Sequence, residues 1–271
     1  MSGAEDVTAI AVRGEQLAWT VDDSDDAADN GVWLASLKGE GPKQVTASPT
    51  YPKSVVLEAT QILWADSEGV WSITTSGGTP IHLSFGSARS LVVDDKRLYW
   101  SDAGTVRTID RGQTEAQGES LEVFGDELAI GGGYLYAAGK KAVTRLKLDD
   151  AAAKPETVVD QRTQLAAITL DGDTLYLIDR VGGTGGDLLS VPAAGGTAKT
   201  LASGLQLGAY TTIVVAGGQA YLPGLSALLQ VPTSGGSVRE RYCTGGNAAV
   251  GDASRVYWAA DIQGGIWTGK L

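Results

Sequence analysis

The sequence predicts an all-β chain closed into a β-propeller, seven four-stranded blades around a central channel, with six blades as the alternative count. Three observations carry that prediction. Short apolar runs recur in pairs joined by Gly- and Asp-containing turns, successive copies lie 36 to 45 residues apart, and no stretch shows the apolar period of a helix. Four short strands per roughly 40 residues is the repeat of a propeller blade, whereas a parallel β-helix repeats at much shorter intervals. Residues 1–271 read as a single propeller domain.

The first two strands of each blade are a pair of apolar runs around a turn. In order they are AIAV-RGEQ-LAW (9–19), VVL-EATQ-ILW (55–64), LVV-DDKR-LYW (91–100), LAI-GGGY-LYA (128–137), ITL-DGDT-LYL (168–177), IVV-AGGQ-AYL (213–222) and AAV-GDASR-VYW (248–258). Turn residues between alternating apolar runs are a hairpin signal, here with four-residue turns and five in the last copy. Leu17, Ile62, Leu98, Leu135, Leu175, Ala220 and Val256 hold the same place in each second strand. Third strands follow at 31–37, 69–74, 105–110, 142–148, 187–192, 227–232 and 265–271. Six lead through a turn into a more polar fourth strand near QVTAS, IHLSF, LEVFG, TVVDQ, KTLAS and VRERYC.

The seventh set reaches Leu271 without a fourth strand, and about five residues precede the first strand near Val7. At roughly 3.3 Å per residue that is short for a strand and its connection. Blade 7 is then either closed by a strand from upstream or three-stranded, with an open edge able to accept a strand from a partner.

Composition narrows the partners. The net charge of −11 and the lack of a Lys/Arg stripe oppose binding to a phosphate backbone, so nucleic acid is excluded. No window approaches the 18 or so apolar residues of a transmembrane helix, and MSGAEDVTAI (1–10) lacks the basic and apolar regions of a signal peptide. Cys243 is the single cysteine, which leaves no internal disulfide and is expected to pack as a small hydrophobe.

LYWSD (98–102), LWAD (63–66) and VYWAAD (256–261) resemble the YWTD repeats of low-density lipoprotein receptor propellers. VPAAGGTAKTLASGL (191–205) is similar to bacterial YWTD-like propellers of secreted or envelope proteins. YWTD domains have six blades, and the count here is seven. The resemblance implies binding of a ligand or partner and an extracytoplasmic location: secreted, periplasmic or envelope-anchored. In blade count the chain also resembles streptogramin-type lyases, which need a histidine on the channel face. His82 falls in an outer strand, against that chemistry.

Several residues could carry function. An Asp closes the second strand in five blades (Asp22 or Asp23, Asp66, Asp102, Asp179, Asp261), and recurrence favours a scaffold role in which a short acceptor ties down loop N–H groups. The loop TVDDSDDAADNG (20–31) gathers Asp22, Asp23, Asp25, Asp26 and Asp29, a candidate Ca²⁺ site without the D-x-D-x-D-G run and distal Glu of an EF-hand. Its alternative is a solvated acidic loop. Connections between second and third strands share one face with those between blades. That face brings Tyr51, Lys53, Arg89, Arg162, Asp179, Arg180 and Tyr210 around the channel mouth as candidate ligand-binding residues. Its longest insertions are 20–31 and 179–187, and GGTGGD (182–187) precedes a strand, which rules out a helix-borne phosphate loop.

Trp19, Trp33, Trp64, Trp71, Trp100, Trp258 and Trp267 all fall in blades 7, 1, 2 and 3. At equivalent strand positions they read as inter-blade packing rather than a glycan platform. One histidine supports neither a Ser-His-Asp nor a Cys-His arrangement, so no catalytic residue is assigned. The expected function is a non-enzymatic scaffold that binds a protein, peptide or glycan through its loop face. No cofactor is expected; the alternative is a propeller hydrolase or lyase using channel-mouth carboxylates, either with Ca²⁺ or without it.

Overall fold

The computed structural model of the chain describes residues 6–22, 30–39, 41–47, 49–208, 211–260 and 265–271. They form seven antiparallel sheets in sequence order. Blade 1 holds β1 (Val7–Arg13), β2 (Gln16–Val21), β3 (Gly31–Ser36) and β4 (Lys43–Thr46); blade 2 holds β5 (Ser54–Leu57), β6 (Gln61–Ala65), β7 (Gly69–Thr74) and β8 (Ile81–Phe85). Blade 3 holds β9 (Leu91–Val93), β10 (Arg97–Asp102), β11 (Thr105–Asp110) and β12 (Glu119–Phe124); blade 4 holds β13 (Glu127–Gly131), β14 (Tyr134–Ala138), β15 (Val143–Lys147) and β16 (Glu156–Val159). Blade 5 holds β17 (Leu165–Asp171), β18 (Thr174–Arg180), β19 (Gly185–Pro192) and β20 (Lys199–Gln206); blade 6 holds β21 (Val214–Ala216), β22 (Gln219–Pro223), β23 (Leu228–Pro232) and β24 (Arg239–Tyr242). Blade 7 has three strands, β25 (Ala249–Gly251), β26 (Arg255–Ala259) and β27 (Ile266–Lys270). The seven-bladed propeller stands, and the six-bladed alternative falls.

The core is a ring of layers, one between each pair of neighbouring blades. The layer between blades 1 and 2 joins Val32 and Val45 to Val55, Ile62 and Trp64, and the layer between blades 7 and 1 joins Ala248, Tyr257 and Ala259 to Val7, Leu17 and Trp19. Closure is therefore made by apolar burial between whole blades, with no strand shared among the described residues. The second-strand anchors all lie at 0–3 % exposure, which is why the repeat was visible at those positions. Trp19, Trp64, Trp100 and Trp258 are buried in these layers, as packing requires; Trp267 alone is 41 % exposed. His82 lies in the outer strand β8, stacked on Trp71 with ring centroids 4.0 Å apart.

The hairpins differ from expectation in length. In blades 1, 4, 5 and 6 the strands run further and leave two-residue turns: Arg13 pairs with Gln16, Gly131 with Tyr134, Asp171 with Thr174 and Ala216 with Gln219. Gly132–Gly133 and Gly217–Gly218 supply left-handed φ at both central positions, as a type I′ turn needs, while Gly14 and Gly172 supply it at the first position of theirs. Blades 2, 3 and 7 keep four-residue turns, the last one residue shorter than read. In two of them an aspartate organises the turn. Asp94 Oδ1 accepts the N–H groups of Lys96 and Arg97 at 2.7 Å while Oδ2 accepts the Tyr99 hydroxyl at 3.0 Å. Asp252 does the same for Ser254, Arg255 and Tyr257.

Two further expectations are corrected. The stretch 179–187 is mostly strand: β18 and β19 extend so that Asp179 pairs with Asp187 and Arg180 with Gly186, leaving Val181–Thr184 as the turn. Cys243 follows the outer strand of blade 6 and is exposed, because that strand lies on the rim rather than in a layer.

Candidate functional site

The innermost strands begin at one end of the channel, and their first residues build its mouth. Hairpin registers align Ala9, Ser54, Ser90, Glu127, Ala167, Thr212 and Ala248 at one level, each beside the residue that meets the buried second-strand position. Six are small. The hydroxyls among them lace neighbouring blades: Ser54 Oγ accepts Leu91 N–H at 3.2 Å, Ser90 Oγ accepts Leu128 N–H at 3.0 Å and Thr212 Oγ1 accepts Ala249 N–H at 2.7 Å. Innermost strands have no ladder partner toward the channel, so these acceptors satisfy backbone donors that burial would otherwise strand.

Glu127 breaks the rule of small residues. It projects where the others have Ala, Ser or Thr, and Arg89 reaches it from the preceding blade, Nε and Nη2 donating to Oε1 at 3.2 and 3.1 Å. Its side chain is 24 % exposed, so channel water touches it while protein surrounds it on the other sides. That burial pushes the carboxyl up to about 7, with Arg89 opposing the rise and Asp126 adding to it. Arg89 itself is 59 % exposed, so the pair is open to ligand on the guanidinium side.

Around this pair lies a cavity of about 560 Å³ at the channel mouth. Tyr51, Lys53 and Arg89, three of the residues expected there, line it together with Glu127, Thr8, Ser90 and Thr212. Tyr51 is 62 % exposed and holds φ at +54°, outside the extended range that Pro52 favours for the residue before it. A non-glycine in the left-handed region is a local strain, and here it presents an aromatic ring at the rim of the cavity.

The other expected residues do other things. Asp179 is 7 % exposed and accepts the N–H groups of Thr163 and Gln164 at 3.0 and 2.7 Å, tying the connection into blade 5. Arg180 donates to the Gly208 carbonyl and to Thr211 Oγ1, so it braces a hydroxyl that lines the cavity without lining it. Desolvation lowers its pKa. Arg162 turns back onto the Asp160 carbonyl at 3.0 Å, outside the cavity. Tyr210 lies outside the described residues, as do Asp23, Asp25, Asp26, Asp29 and Asp261. Asp22 is described, its N–H donating to the Asp6 carbonyl at 3.2 Å. Among the described residues no three His, Cys, Asp or Glu side chains gather as a metal site.

Asp66 shows what the recurrent aspartates do. At 1 % exposure its carboxylate accepts from the Trp64 and Trp71 indoles, each at 3.1 Å, and from the N–H groups of Thr50, Glu68 and Gly69. Asp102 pairs with Arg107 at 2.8 Å. Glu127, by contrast, was missed. Its signal was present in the alignment of first-strand residues, where a single acid stands among small side chains.

No family model matches the chain, and no curated protein matches it. Solved structures do. The chain is similar to the computationally designed Ika8 protein (10 % identity, TM-score 0.68, covering 100 % of this chain and 98 % of that one) and to a chain of the mitotic checkpoint complex (12 %, 0.74, 100 % and 88 %). It is also similar to a chain of the nidogen/laminin complex (18 %, 0.56, 70 % and 77 %) and to a puromycin-hydrolyzing peptidase of Mycobacterium tuberculosis (13 %, 0.66, 98 %), of which it spans 53 %. At 10 to 18 % identity these likenesses are likenesses of fold: the chain is a seven-bladed β-propeller.

Proposed function

We propose that this propeller is a non-enzymatic binding module that recognises a peptide segment of a partner protein at the channel mouth. The observation that carries the reading is the convergence of Arg89, Glu127, Lys53 and the strained, exposed Tyr51 on one 560 Å³ cavity of an otherwise repetitive ring. A peptide offers what these groups take: carbonyls and carboxylates for the cations, and a side chain to lie on the tyrosine ring. Two of the similar propellers belong to protein complexes, the nidogen/laminin and mitotic checkpoint assemblies, which fits this reading. An extracytoplasmic location belongs to the same proposal and rests on the YWTD-like motifs.

Glu127 favours one second reading, a hydrolase, because a carboxyl titrating near neutrality can act as a general acid. Glycoside chemistry pairs two carboxyl groups, and Glu127 is the one carboxylate among the described residues lining the cavity. Binding is therefore the stronger reading. The test is capture of partners from the native source by the wild-type chain and by Arg89→Ala and Tyr51→Ala variants. Loss of the same partner in both variants supports the proposal, and retention in both sinks it. A rise in Tm with millimolar Ca²⁺ would instead turn attention to the cation-dependent hydrolase.

A further inference from the structure

The six complete blades define what an outer strand brings to the ring. Val45 of β4, Leu83 of β8, Val123 of β12, Val158 of β16 and Leu201 of β20 each enter the layer shared with the next blade, and Tyr242 of β24 packs on the layer between blades 6 and 7. The layer between blades 7 and 1 receives no such residue among the described ones. Among the described residues β27 thus ends the sheet, with no strand paired to its outer side.

Blades 1, 2 and 7 share a cross-strand tryptophan pair: Trp19–Trp33, Trp64–Trp71 and Trp258–Trp267. In blade 1 the outer strand sets Gln44 opposite Trp33 and sends the next residue, Val45, inward; in blade 2 it sets His82 on Trp71 and sends Leu83 inward. Trp33 and Trp71 are half-buried as a result, while Trp267 remains exposed. The chain's own covered blades state the chemistry of the missing cover: a planar polar side chain followed by an apolar one.

Charge gives a second, independent pointer. At the outer end of blade 7 Arg255 stands directly opposite Lys270. The same place in blade 3 holds Arg97 opposite Asp110, an ion pair of 2.8 Å. Like charges directly across a ladder are destabilising, and neither Arg255 nor Lys270 has an ion pair among the described residues. The nearby Asp252 is committed to its turn and to the Tyr257 hydroxyl. In a chain of net charge −11, this edge is a local cationic patch.

We propose that β27 is a docking edge for an extended acidic segment of a partner protein, added antiparallel as the fourth strand of blade 7. Its carboxylates sit at its N-terminal end beside Arg255 and Lys270, a planar polar residue covers Trp267, and the next, apolar residue fills the layer between blades 7 and 1. Strand addition of this kind takes affinity from main-chain hydrogen bonds and specificity from alternate side chains. The edge is separate from the channel mouth, so Arg89→Ala leaves it intact.

The test uses the full chain and three labelled peptides: Asp-Glu-Thr-Gln-Val-Thr-Ala, a form beginning Lys-Lys, and a form with Asp in place of Val. Fluorescence polarisation should show saturable binding of the first peptide alone. Arg255→Glu/Lys270→Glu should weaken it by about tenfold or more at low salt, as loss of a charge pair at an interface does. Equal binding of all three peptides, no binding at millimolar peptide, or indifference to the charge reversal overturns the proposal. Dimers that dissociate in the charge-reversed variant would assign the edge to a second copy. Peptide binding that appears only after removal of residues 2–5 would assign it to the chain's own start. Either result overturns the partner assignment.

Discussion

At the scale of single residues, two carboxylates have opposite surroundings: Glu127 lines the channel mouth and Asp66 is buried outside it. Glu127 has its folded pKa raised above the unfolded value by burial, so the unfolded state gives up its proton first. Its contribution is neutral at low pH, turns unfavourable as pH rises from the ordinary carboxylate range, and levels off above about 7. Glu127→Gln is therefore expected to stabilise by about 1–2 kcal/mol at pH 8, after discount for channel water and the lost Arg89 pair, and to have no effect at pH 4. Urea unfolding at the two pH values measures it, and equal effects at both would count against the burial argument. Asp66 is a buried carboxylate that accepts from five donors. Asp66→Asn turns an amide toward donors, and a loss of about 2–3 kcal/mol is expected in thermal unfolding. The sequence marked Asp66 correctly as scaffold, because identical residues recurring per blade serve the blade. It hid Glu127, because strand registers had to be known before seven first-strand positions could be compared.

At the scale of strands and turns, legibility followed burial. Third strands at 69–74 and 105–110 emerged with the bounds expected, since alternating burial prints a period of two on the sequence. Turns and the 179–187 stretch did not, since glycine is as compatible with an extended strand end as with a loop. One contact between elements was invisible for another reason: it links residues 53 positions apart. Arg111 Nη2 and Nη1 grip the Glu58 carboxylate at 2.7 and 3.1 Å, joining the blade 2 turn to the blade 3 sheet. The bond from Arg111 holds the Glu58 carboxyl below its usual value. A depressed acid contributes stability that is present above the unfolded pKa and is lost as pH falls through the folded one. Glu58→Gln should thus cost about 1–2 kcal/mol at pH 7 and nothing near pH 2, read from denaturation midpoints at both.

At the scale of the whole ring, seven apolar layers hold seven blades, and the layer between blades 7 and 1 has no outer strand among the described residues. The backbone amides of β27 are expected to exchange with deuterium faster than those of β14, which is flanked on both sides. Equal protection of the two strands would mean that blade 7 is as cooperative as the rest. The resemblance to YWTD repeats captured the blade unit but not the blade number, because short motifs report the local sheet while ring size depends on how sheets splay.

Among the described residues each blade is a continuous stretch of chain, blade 7 included, and this has a mechanical meaning. Where a terminal strand is woven into the sheet at the opposite end of the chain, pulling the termini loads that ladder in shear, with all its bonds resisting at once. Here a pull on Leu271 reaches β27 at its Lys270 end, beside Arg255, and parts the pairs with β26 one after another. Tension applied through Lys270 is expected to open this ladder from its end, pair by pair, unless something occupies the edge.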